Sequence, residues 1–250
     1  MPFMPRRGRY GIDAPYVPLG FAVAVLAALG LAAWGLAAGA PSLATAGLVS
    51  ALWFGLSLAS YLYTTLRGKL AVWSELVDGL ALAGHEKALD VGCGRGAVLL
   101  EVARRLPRGK AVGIDLWRSG DQSGNAQART LANAEAEGVA ARVELATGDM
   151  RALPYADASF DLVVSSLAVH NVPDAAGRAL AVAEMWRVLA PGGRLLIVDF
   201  RFAADYAAAL AAVGATAVTR RGLGWRFWFG GPWAGSSLVT AAKAPAPARA

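Results

Sequence analysis

The sequence predicts an α/β protein in which a two-helix transmembrane hairpin precedes a doubly wound, mostly parallel, seven-stranded sheet of Rossmann-like type. Two observations lead to this prediction. No charged residue occurs from Ala14 to Leu66, and after Lys69 short apolar segments alternate with amphipathic ones. The chain has 250 residues, of which 56% are hydrophobic and 17% charged. Such a length allows one sizeable α/β domain plus an appendage.

The uncharged run, within residues 18–66, contains two segments that are each long enough to span a bilayer. They are Leu19–Ala38 and Leu43–Tyr63, and Gly39-Ala40-Pro41-Ser42 separates them. A spanning helix needs about 20 apolar residues, and Pro and Gly mark a turn. A signal peptide would have one apolar core of about 7–15 residues and a cleavage site. A helix in the core of a soluble protein is shorter than this run, so the pattern favours a membrane hairpin.

The flanking charges predict the orientation of the hairpin. Arg6, Arg7 and Arg9 precede the apolar run, Arg67 and Lys69 follow it, and the turn between the helices carries no charge. Positively charged residues stay on the cytoplasmic side. We therefore expect a multi-pass protein of the cell (inner) membrane, with both termini and the soluble domain in the cytoplasm. The net charge is +6, but the positively charged residues are scattered and form no stripe with interleaved aromatic residues. No nucleic-acid partner is therefore expected.

The strand and helix patterns of residues 67–243 predict the doubly wound sheet. The predicted strands are Lys87–Val91, Ala111–Asp115, Arg142–Ala146, Phe160–Ser165 and Arg194–Phe200, with two weaker ones at Ala217–Arg220 and Leu238–Ala242. The predicted helices are Leu70–Leu82, Ala97–Arg105, Ala126–Glu137, Ala175–Leu189 and Asp205–Val213. Residues 1–17 are expected to form a cytoplasmic segment and 244–250 a disordered tail.

A glycine-rich turn follows the first predicted strand, in the sequence Asp90-Val-Gly-Cys-Gly-Arg-Gly. Glycines there permit a tight turn and a close approach of the backbone to a ligand, in the crevice where open α/β sheets bind ligands. Asp115 ends the second strand, where its carboxylate can accept hydrogen bonds from ribose hydroxyls. Gly92, Gly94 and Ala97 also satisfy the dinucleotide fingerprint. A nicotinamide-dependent oxidoreductase therefore remains an alternative on this motif alone.

Three further segments occur in order after the glycine-rich turn. They are Gly148-Asp149-Met150 with Leu153-Pro154, then Phe160–Val164, then Arg187–Arg194. Together the four segments resemble the class I methyltransferases that depend on S-adenosylmethionine (SAM), with a methyltransferase type 11-like domain. More narrowly, they resemble the small-molecule branch that includes ubiquinone/menaquinone-type methyltransferases, and the layout resembles a group of bacterial membrane-bound methyltransferases. The resemblance covers about residues 70–243.

This resemblance implies SAM as the cofactor. It implies cofactor-binding residues at Asp90, Gly92, Cys93, Gly94, Gly96, Asp115, Leu116, Asp149, Met150 and Ser165. In it, Asp115 holds the ribose hydroxyls, Asp149 and Met150 flank the adenine, and the segment Ser165-Ser166-Leu167 lies beside the sulfonium. From the residues alone, Cys93 is better interpreted as a small filler, because no basic partner is evident to activate its thiol.

The loop after the ribose carboxylate is rich in hydrogen-bonding side chains and must lie at the ligand face of the sheet. The substrate-side candidates are Trp117, Gln122, Asn125 and Asn171. The alternative is a solvated loop in which Asn125 caps the following helix.

His170 is the candidate general base, since it follows the fourth strand and histidine titrates near neutral pH. A base is needed only if the acceptor arrives protonated. The alternative is a loop histidine that orients Asn171 or a backbone carbonyl. One cysteine and two histidines do not provide a zinc site of the usual type, and no metal is expected.

The acceptor is indicated only indirectly, by the aromatic segment Gly224–Trp233. Tryptophan beside arginine is typical of a membrane interface, although the same aromatic residues could instead pack over the sheet edge. We expect SAM-dependent methyl transfer to a small, hydrophobic or lipid-like acceptor in the membrane. A SAM-binding regulatory or assembly module without turnover is the alternative of a different class.

Overall fold

Two long apolar helices form an antiparallel hairpin at the start of the chain. The computed structural model describes residues 6–246, with α1 at Tyr16–Ala37 and α2 at Pro41–Tyr63. Both lie within three residues of their predicted bounds. Pro41 begins α2, where its fixed φ suits the first turn and no N–H is required.

Small residues allow the two helices to pack closely. A Cβ on Gly35 would lie 2.5 Å from the backbone nitrogen of Ala44, and a Cβ on Gly47 would lie 2.5 Å from that of Ala32. The larger apolar side chains point away from the helix pair, and Leu26 is 69% exposed. Only 17% and 22% of the two most apolar windows is buried, whereas a core helix of a soluble protein would be mostly covered.

The second helix continues into the α/β domain without a break. A π-helical turn at Thr64–Gly68 leads directly into α3, Lys69–Gly79. A Cβ on Gly68 would lie 2.0 Å from the carbonyl oxygen of Arg226, so a glycine is required where the helix meets the aromatic segment. The hairpin is therefore joined to the domain by a continuous helix.

The domain contains a seven-stranded sheet in the order β3-β2-β1-β4-β5-β7-β6. The strands are β1 Lys87–Val91, β2 Lys110–Asp115, β3 Val143–Thr147, β4 Phe160–Ser166, β5 Leu189–Asp199, β6 Thr216–Gly222 and β7 Ser237–Ala242. The helices are α4 Leu99–Arg104, α5 Gln127–Ala136, α6 Ala175–Val188 and α7 Ala203–Ala212. All pairs are parallel except those of β7, which runs antiparallel to β5 and β6. The predicted doubly wound, mostly parallel sheet is confirmed.

The fifth strand differs from its prediction. It begins at Leu189 rather than Arg194, so that Pro191-Gly192-Gly193 lies within the strand and not in a turn before it. Gly192 has φ +81°, and its N–H donates to the carbonyl of Lys243 at 2.9 Å. Because the neighbouring strand supplies this hydrogen bond, the segment remains in the sheet as an irregularity. Residues 244–246 have no regular secondary structure; the rest of the predicted tail and residues 1–5 lie outside the described residues.

The segment before α1 lies along the α/β domain. Arg6 forms an ion pair with Glu101, and both side chains are at least 95% buried. Tyr10 donates its hydroxyl to Glu137 at 2.6 Å, and the Arg9 N–H donates to Asn133 at 2.8 Å. Arg6 therefore has a structural partner within the domain, which the charge pattern alone did not predict.

Candidate active site

A cavity of about 270 Å³ lies at the carboxyl ends of β1 and β4. In the sheet order, β2 and β3 lie on one side of this pair and β5 on the other. Such a switch point is where doubly wound sheets bind ligands. The lining residues come from the turn after β1, the end of β2, residues 148–151 and 166–173, and also from Asp13 and α3.

The turn after β1 adopts the backbone conformation that its glycines predict. Gly92 has φ +77° and Gly94 has φ +50°, a region that favours glycine. A Cβ on Gly92 would lie 2.2 Å from the Cβ of Ala168, so the turn and the segment after β4 are in close contact. This turn, residues 92–96, is called the glycine loop below.

Asp90 is the most unusual group on the cavity wall. Its carboxylate is 3% exposed, and neither oxygen has a hydrogen-bond partner among residues 6–246. Burial, together with the nearby charge of Asp115, raises the pKa of Asp90 to about 8. A buried polar group without a partner is costly, and a cationic ligand in the cavity would provide one.

Asp115 organises the loop beside Asp90. One of its oxygens accepts from the Gly94 N–H at 2.8 Å, and the other accepts from the Trp117 N–H at 2.6 Å and the Asn125 amide at 3.3 Å. This carboxylate lines the cavity while it fixes the backbone on both sides. Leu116 lines the cavity next to it and is 42% exposed.

Asp149 and Met150 lie on the same cavity wall. The Arg151 guanidinium donates to both carboxylate oxygens of Asp149, at 3.0 Å to Oδ1 and 2.6 Å to Oδ2. These hydrogen bonds hold the pKa of Asp149 below its usual range. Cys93 also lines the cavity, and burial raises the pKa of its thiol, which agrees with its interpretation as an unreactive filler.

Three of the four predicted substrate-side residues line the cavity: Gln122, Asn125 and Asn171. The alternative role of Asn125 as a helix cap is wrong, because Ala126 occupies the N-cap position of α5 and no side chain caps it. Instead, the Asn125 amide donates to Asp115 and to the Arg118 carbonyl, both at 3.3 Å.

Three predicted site residues do not lie on the cavity wall that the described residues form. Ser165 is fully buried, and its hydroxyl donates to the Val91 carbonyl at 2.8 Å; the next residue, Ser166, lines the cavity instead. Gly96 faces Thr130 and serves the turn only. The Trp117 indole donates to the Thr147 hydroxyl at 2.8 Å, which holds its ring outside the lining.

His170 also lies beside the lining rather than within it, one residue before Asn171. Its Nδ1 lies 2.8 Å from an oxygen of Asp199, and its N–H donates to the other oxygen at 3.1 Å. Asp199 is fully buried, and the Tyr206 hydroxyl also contacts it at 3.2 Å. The ring packs edge-on against Phe200. The Nδ1 contact lacks the geometry of a hydrogen bond, so the backbone N–H and the packing on Phe200 hold the histidine beside Asp199.

Sequence reasoning missed one wall of the cavity altogether. Asp13 and Lys69 line it, together with Leu70 and Trp73 of α3. The Trp73 indole donates to Ser166 at 2.9 Å, across 93 positions in the chain. Asp13 is the one carboxylate among the first 66 residues, which is the only signal that could have drawn attention to it.

The charges of the lining favour a cationic ligand. Among residues 6–246, five carboxyl groups line the cavity, those of Asp13, Asp90, Asp115, Asp121 and Asp149, against three cationic side chains, those of Lys69, Arg118 and Arg151. Even with Asp90 protonated at neutral pH, the carboxylates outnumber the cations. Two of the cations are bound to carboxylates of the same lining. The pyrophosphate of a dinucleotide would meet this excess of negative charge.

Comparison with known proteins agrees with this geometry. Residues 89–197, from β1 to β5, match the family model described as a methyltransferase domain. The chain carries a class I SAM-dependent methyltransferase domain. The cofactor of this family is SAM, and the alternative of a nicotinamide-dependent oxidoreductase is wrong.

Among curated proteins, the domain is similar to the ubiquinone/menaquinone biosynthesis C-methyltransferase UbiE of Dinoroseobacter shibae, with 38% identity over 133 residues. The match covers 52% of this chain and 48% of that protein, so the chain spans about half the length of the curated relatives it matches.

Two solved structures share the fold of the domain. The [4+2]-cyclase SpnF has a TM-score of 0.56 at 22% identity, covering 69% of this chain and 82% of that one. A geranyl diphosphate methyltransferase in complex with SAM has a TM-score of 0.53 at 16% identity, covering 70% of this chain and 85% of that one.

Proposed function

We propose that the protein transfers a methyl group from SAM to a small, hydrophobic acceptor that resides in the membrane. The observation that carries the proposal is the unpartnered, buried carboxylate of Asp90 at the bend between β1 and the glycine loop. SAM carries an ammonium group and a sulfonium, and either would favour the ionised form of this carboxylate. The match of the domain to a methyltransferase family supports the same cofactor.

The remaining cavity residues would hold the other parts of the cofactor. Asp115 keeps acceptor capacity beyond its bonds to the protein, because a carboxylate offers about four lone-pair sites. We assign it to the ribose hydroxyls. Asp149 and Met150, farther along the wall, would flank the adenine, and Ser166 takes the place of Ser165 beside the end of β4.

The acceptor would lie against the apolar side of the cavity. Leu70 and Trp73 of α3 line this side, together with Leu167 and Val172 after β4. The name of a relative supports an apolar acceptor, since it is a ubiquinone/menaquinone biosynthesis C-methyltransferase. The bound cofactor supplies an activated methyl group, so that the protein mainly orients the acceptor and excludes water.

His170 would act as a general base where the acceptor carries a proton at the reacting atom. Its Nδ1 lies 2.8 Å from an oxygen of the buried Asp199, whose charge would stabilise the imidazolium that forms when Nε2 accepts a proton. Phe200 and Asn171 would hold the acceptor near this ring.

The hairpin, residues 18–66, would anchor the domain to the cytoplasmic face of the membrane. The exposed apolar side chains along both helices support insertion. The aromatic segment follows α2, since Trp225 stacks on Tyr63 at 5.1 Å and Trp233 stacks on Trp53 at 4.9 Å. Both tryptophans are 60% exposed. The segment thus packs against the hairpin rather than only over the sheet edge, in a position to contact lipid.

Purified full-length protein incubated with methyl-labelled SAM and a membrane lipid extract tests this function. We expect label in an extractable, apolar product, and no such product from an Asp90→Asn variant, which serves as the matched control. Binding of SAM without a labelled product from any extract fraction would favour the regulatory or assembly module. The fold alone does not exclude that outcome, because a [4+2]-cyclase shares it.

A further inference from the structure

Asp13 connects the cytoplasmic end of the hairpin to the cavity. Its carboxylate accepts hydrogen bonds from Lys69 at 2.7 and 2.5 Å, from the Thr65 hydroxyl at 2.8 Å and from the Gln122 amide at 3.1 Å. Lys69 is 5% exposed and Asp13 is 16% exposed at the side chain. Donors from two distant parts of the chain therefore meet on one largely covered carboxylate.

The backbone around Asp13 is fixed on the same two sides. The Asp13 N–H donates to the Thr65 hydroxyl at 3.0 Å, and the Tyr61 hydroxyl donates to the Asp13 carbonyl at 2.7 Å. On the other side, the Ser123 N–H donates to the Ile12 carbonyl at 3.0 Å. The carboxylate can therefore shift only if the hairpin end or residues 121–123 shift with it.

Gln122 carries this contact on to the glycine loop. Its amide nitrogen donates to Asp13, and its amide oxygen accepts from the Arg95 N–H at 2.9 Å. A Cβ on Gly94 would lie 2.7 Å from that oxygen. Both ends of the amide are thus occupied, and the side chain spans the cavity wall between Asp13 and the loop.

We propose that Asp13 is a positioning residue of the cofactor cavity, which holds the glycine loop in its binding conformation through Gln122. This inference rests on the proposed function. It makes cofactor binding depend on docking of the hairpin end, because Tyr61, Thr65 and Lys69 fix Asp13 only when that end is in place. Asp13 acts through other residues and needs no contact with the cofactor itself.

Calorimetric titration of detergent-purified, full-length protein with SAM tests the proposal. We expect Asp13→Ala to weaken SAM binding about tenfold or more, because one lost hydrogen bond to a charged group has roughly this effect. Asp205→Ala, which removes an exposed carboxylate of α7, is the matched control and should bind SAM as the unmodified protein does. Equal binding by Asp13→Ala would overturn the proposal.

A variant of Gln122 tests the same connection without leaving Lys69 unpaired. Gln122→Leu should weaken SAM binding to a similar degree. Since the two residues act in series, Asp13→Ala/Gln122→Leu should bind no more than about twofold more weakly than either single variant. Additive losses, which are typical of independent sites, would contradict the proposed connection even if one of the variants is poorly folded.

Hydrogen exchange without any ligand separates this inference from the proposed function. The amides of Gly94 and Arg95 should exchange faster in Asp13→Ala than in the unmodified protein, while those of β5 should not change. Failure of the unmodified protein to bind SAM would refute the proposed function, whereas unchanged exchange at the glycine loop would refute the role of Asp13.

Discussion

The two walls of the cavity are built in different ways. The wall formed by the glycine loop and Asp115 depends on short-range geometry, since the Gly94 N–H reaches Asp115 across 21 positions. The opposite wall joins parts of the chain that are far apart: Asp13 meets Lys69 across 56 positions and Gln122 across 109. The first wall follows from a motif that the domain shares with its family. The second depends on where the end of the hairpin docks against the domain.

The largest effect is expected at Asp90, on the short-range wall. Asp90→Asn should weaken SAM binding by on the order of 100- to 1,000-fold, because it removes a buried charge that faces a cationic ligand. Calorimetry measures this loss. Asp161→Asn is the matched control, since Asp161 lies on β4 and accepts from the Lys87 N–H at the other end of the sheet. If Asp90→Asn bound SAM normally, the cavity would hold a different ligand.

A smaller effect is expected at His170, which belongs to neither wall. His170→Gln should reduce kcat by about 100-fold at unchanged SAM affinity, the usual contribution of a general base. His85→Gln is the control, because His85 is exposed and does not line the cavity. Full turnover by His170→Gln would exclude this residue as the general base.

The sequence predicted the short-range wall and missed the other for a physical reason. Asp90 to Gly94 were predicted because the bend after a first parallel strand is set by neighbouring residues. In contrast, nothing in the local pattern of Asp13 specifies a partner on α3. Ser165 was misplaced for a different reason. Successive residues of a strand face opposite sides of the sheet, so Ser166 faces the cavity whereas Ser165 faces the core.

The fold itself was largely predictable. Strand β1 has its predicted bounds, and the alternation of strands and helices was enough for the parallel sheet. The start of β5 was wrong because proline and glycine usually end a strand, whereas here Gly192 donates to Lys243 of the returning chain. The position of residues 6–13 could not be predicted, since their partners, such as Glu101 and Glu137, lie about 90 to 130 positions away.

The pH dependence of SAM binding also tests the role of Asp90, although the expected change in affinity is smaller than that of Asp90→Asn. The pKa of Asp90 is raised to about 8, so below that pH a proton must leave before the carboxylate can pair with a cation. SAM affinity should therefore rise with pH between about 6 and 8, by at most about tenfold per pH unit, and level off above pH 8. Calorimetry in buffers of different ionisation enthalpy should detect proton release at pH 7.

Two checks belong to this pH prediction. Burial also raises the pKa of Asp121 on the same lining, so the slope should largely disappear in Asp90→Asn if Asp90 causes it.

In the ligand-free protein the raised pKa of Asp90 means that the native state binds the proton more tightly than the unfolded chain. Its contribution to stability is therefore present at low pH and is lost as the pH rises from about 4 to about 8. An affinity independent of pH would exclude Asp90 as the group that meets the cation.

The smallest effect on the cavity is expected from a change in the packing between α1 and α2. Such a change tests the stability of the hairpin separately from its contact with the cavity. Gly47→Ala should lower the thermal unfolding temperature in detergent by several degrees, because the new Cβ would lie 2.5 Å from the Ala32 nitrogen and 2.7 Å from the Ala28 carbonyl oxygen. Backbone atoms cannot move aside without separating the helices. Gly55→Ala lies on the same helix, where the new Cβ would have no atom of another described segment within 4 Å. This variant should be neutral or stabilising, since alanine favours a helix over glycine by about 1 kcal/mol.

SAM affinity should change less than about threefold in Gly47→Ala, because Tyr61 lies roughly 20 Å farther along α2 at 1.5 Å per residue. A large loss of SAM binding in this variant would mean that the whole hairpin, and not only the end that adjoins the domain, holds the second wall in place. Equal unfolding temperatures for the two alanine variants would mean that α1 and α2 do not pack through Gly47, and the hairpin would then need a different interface.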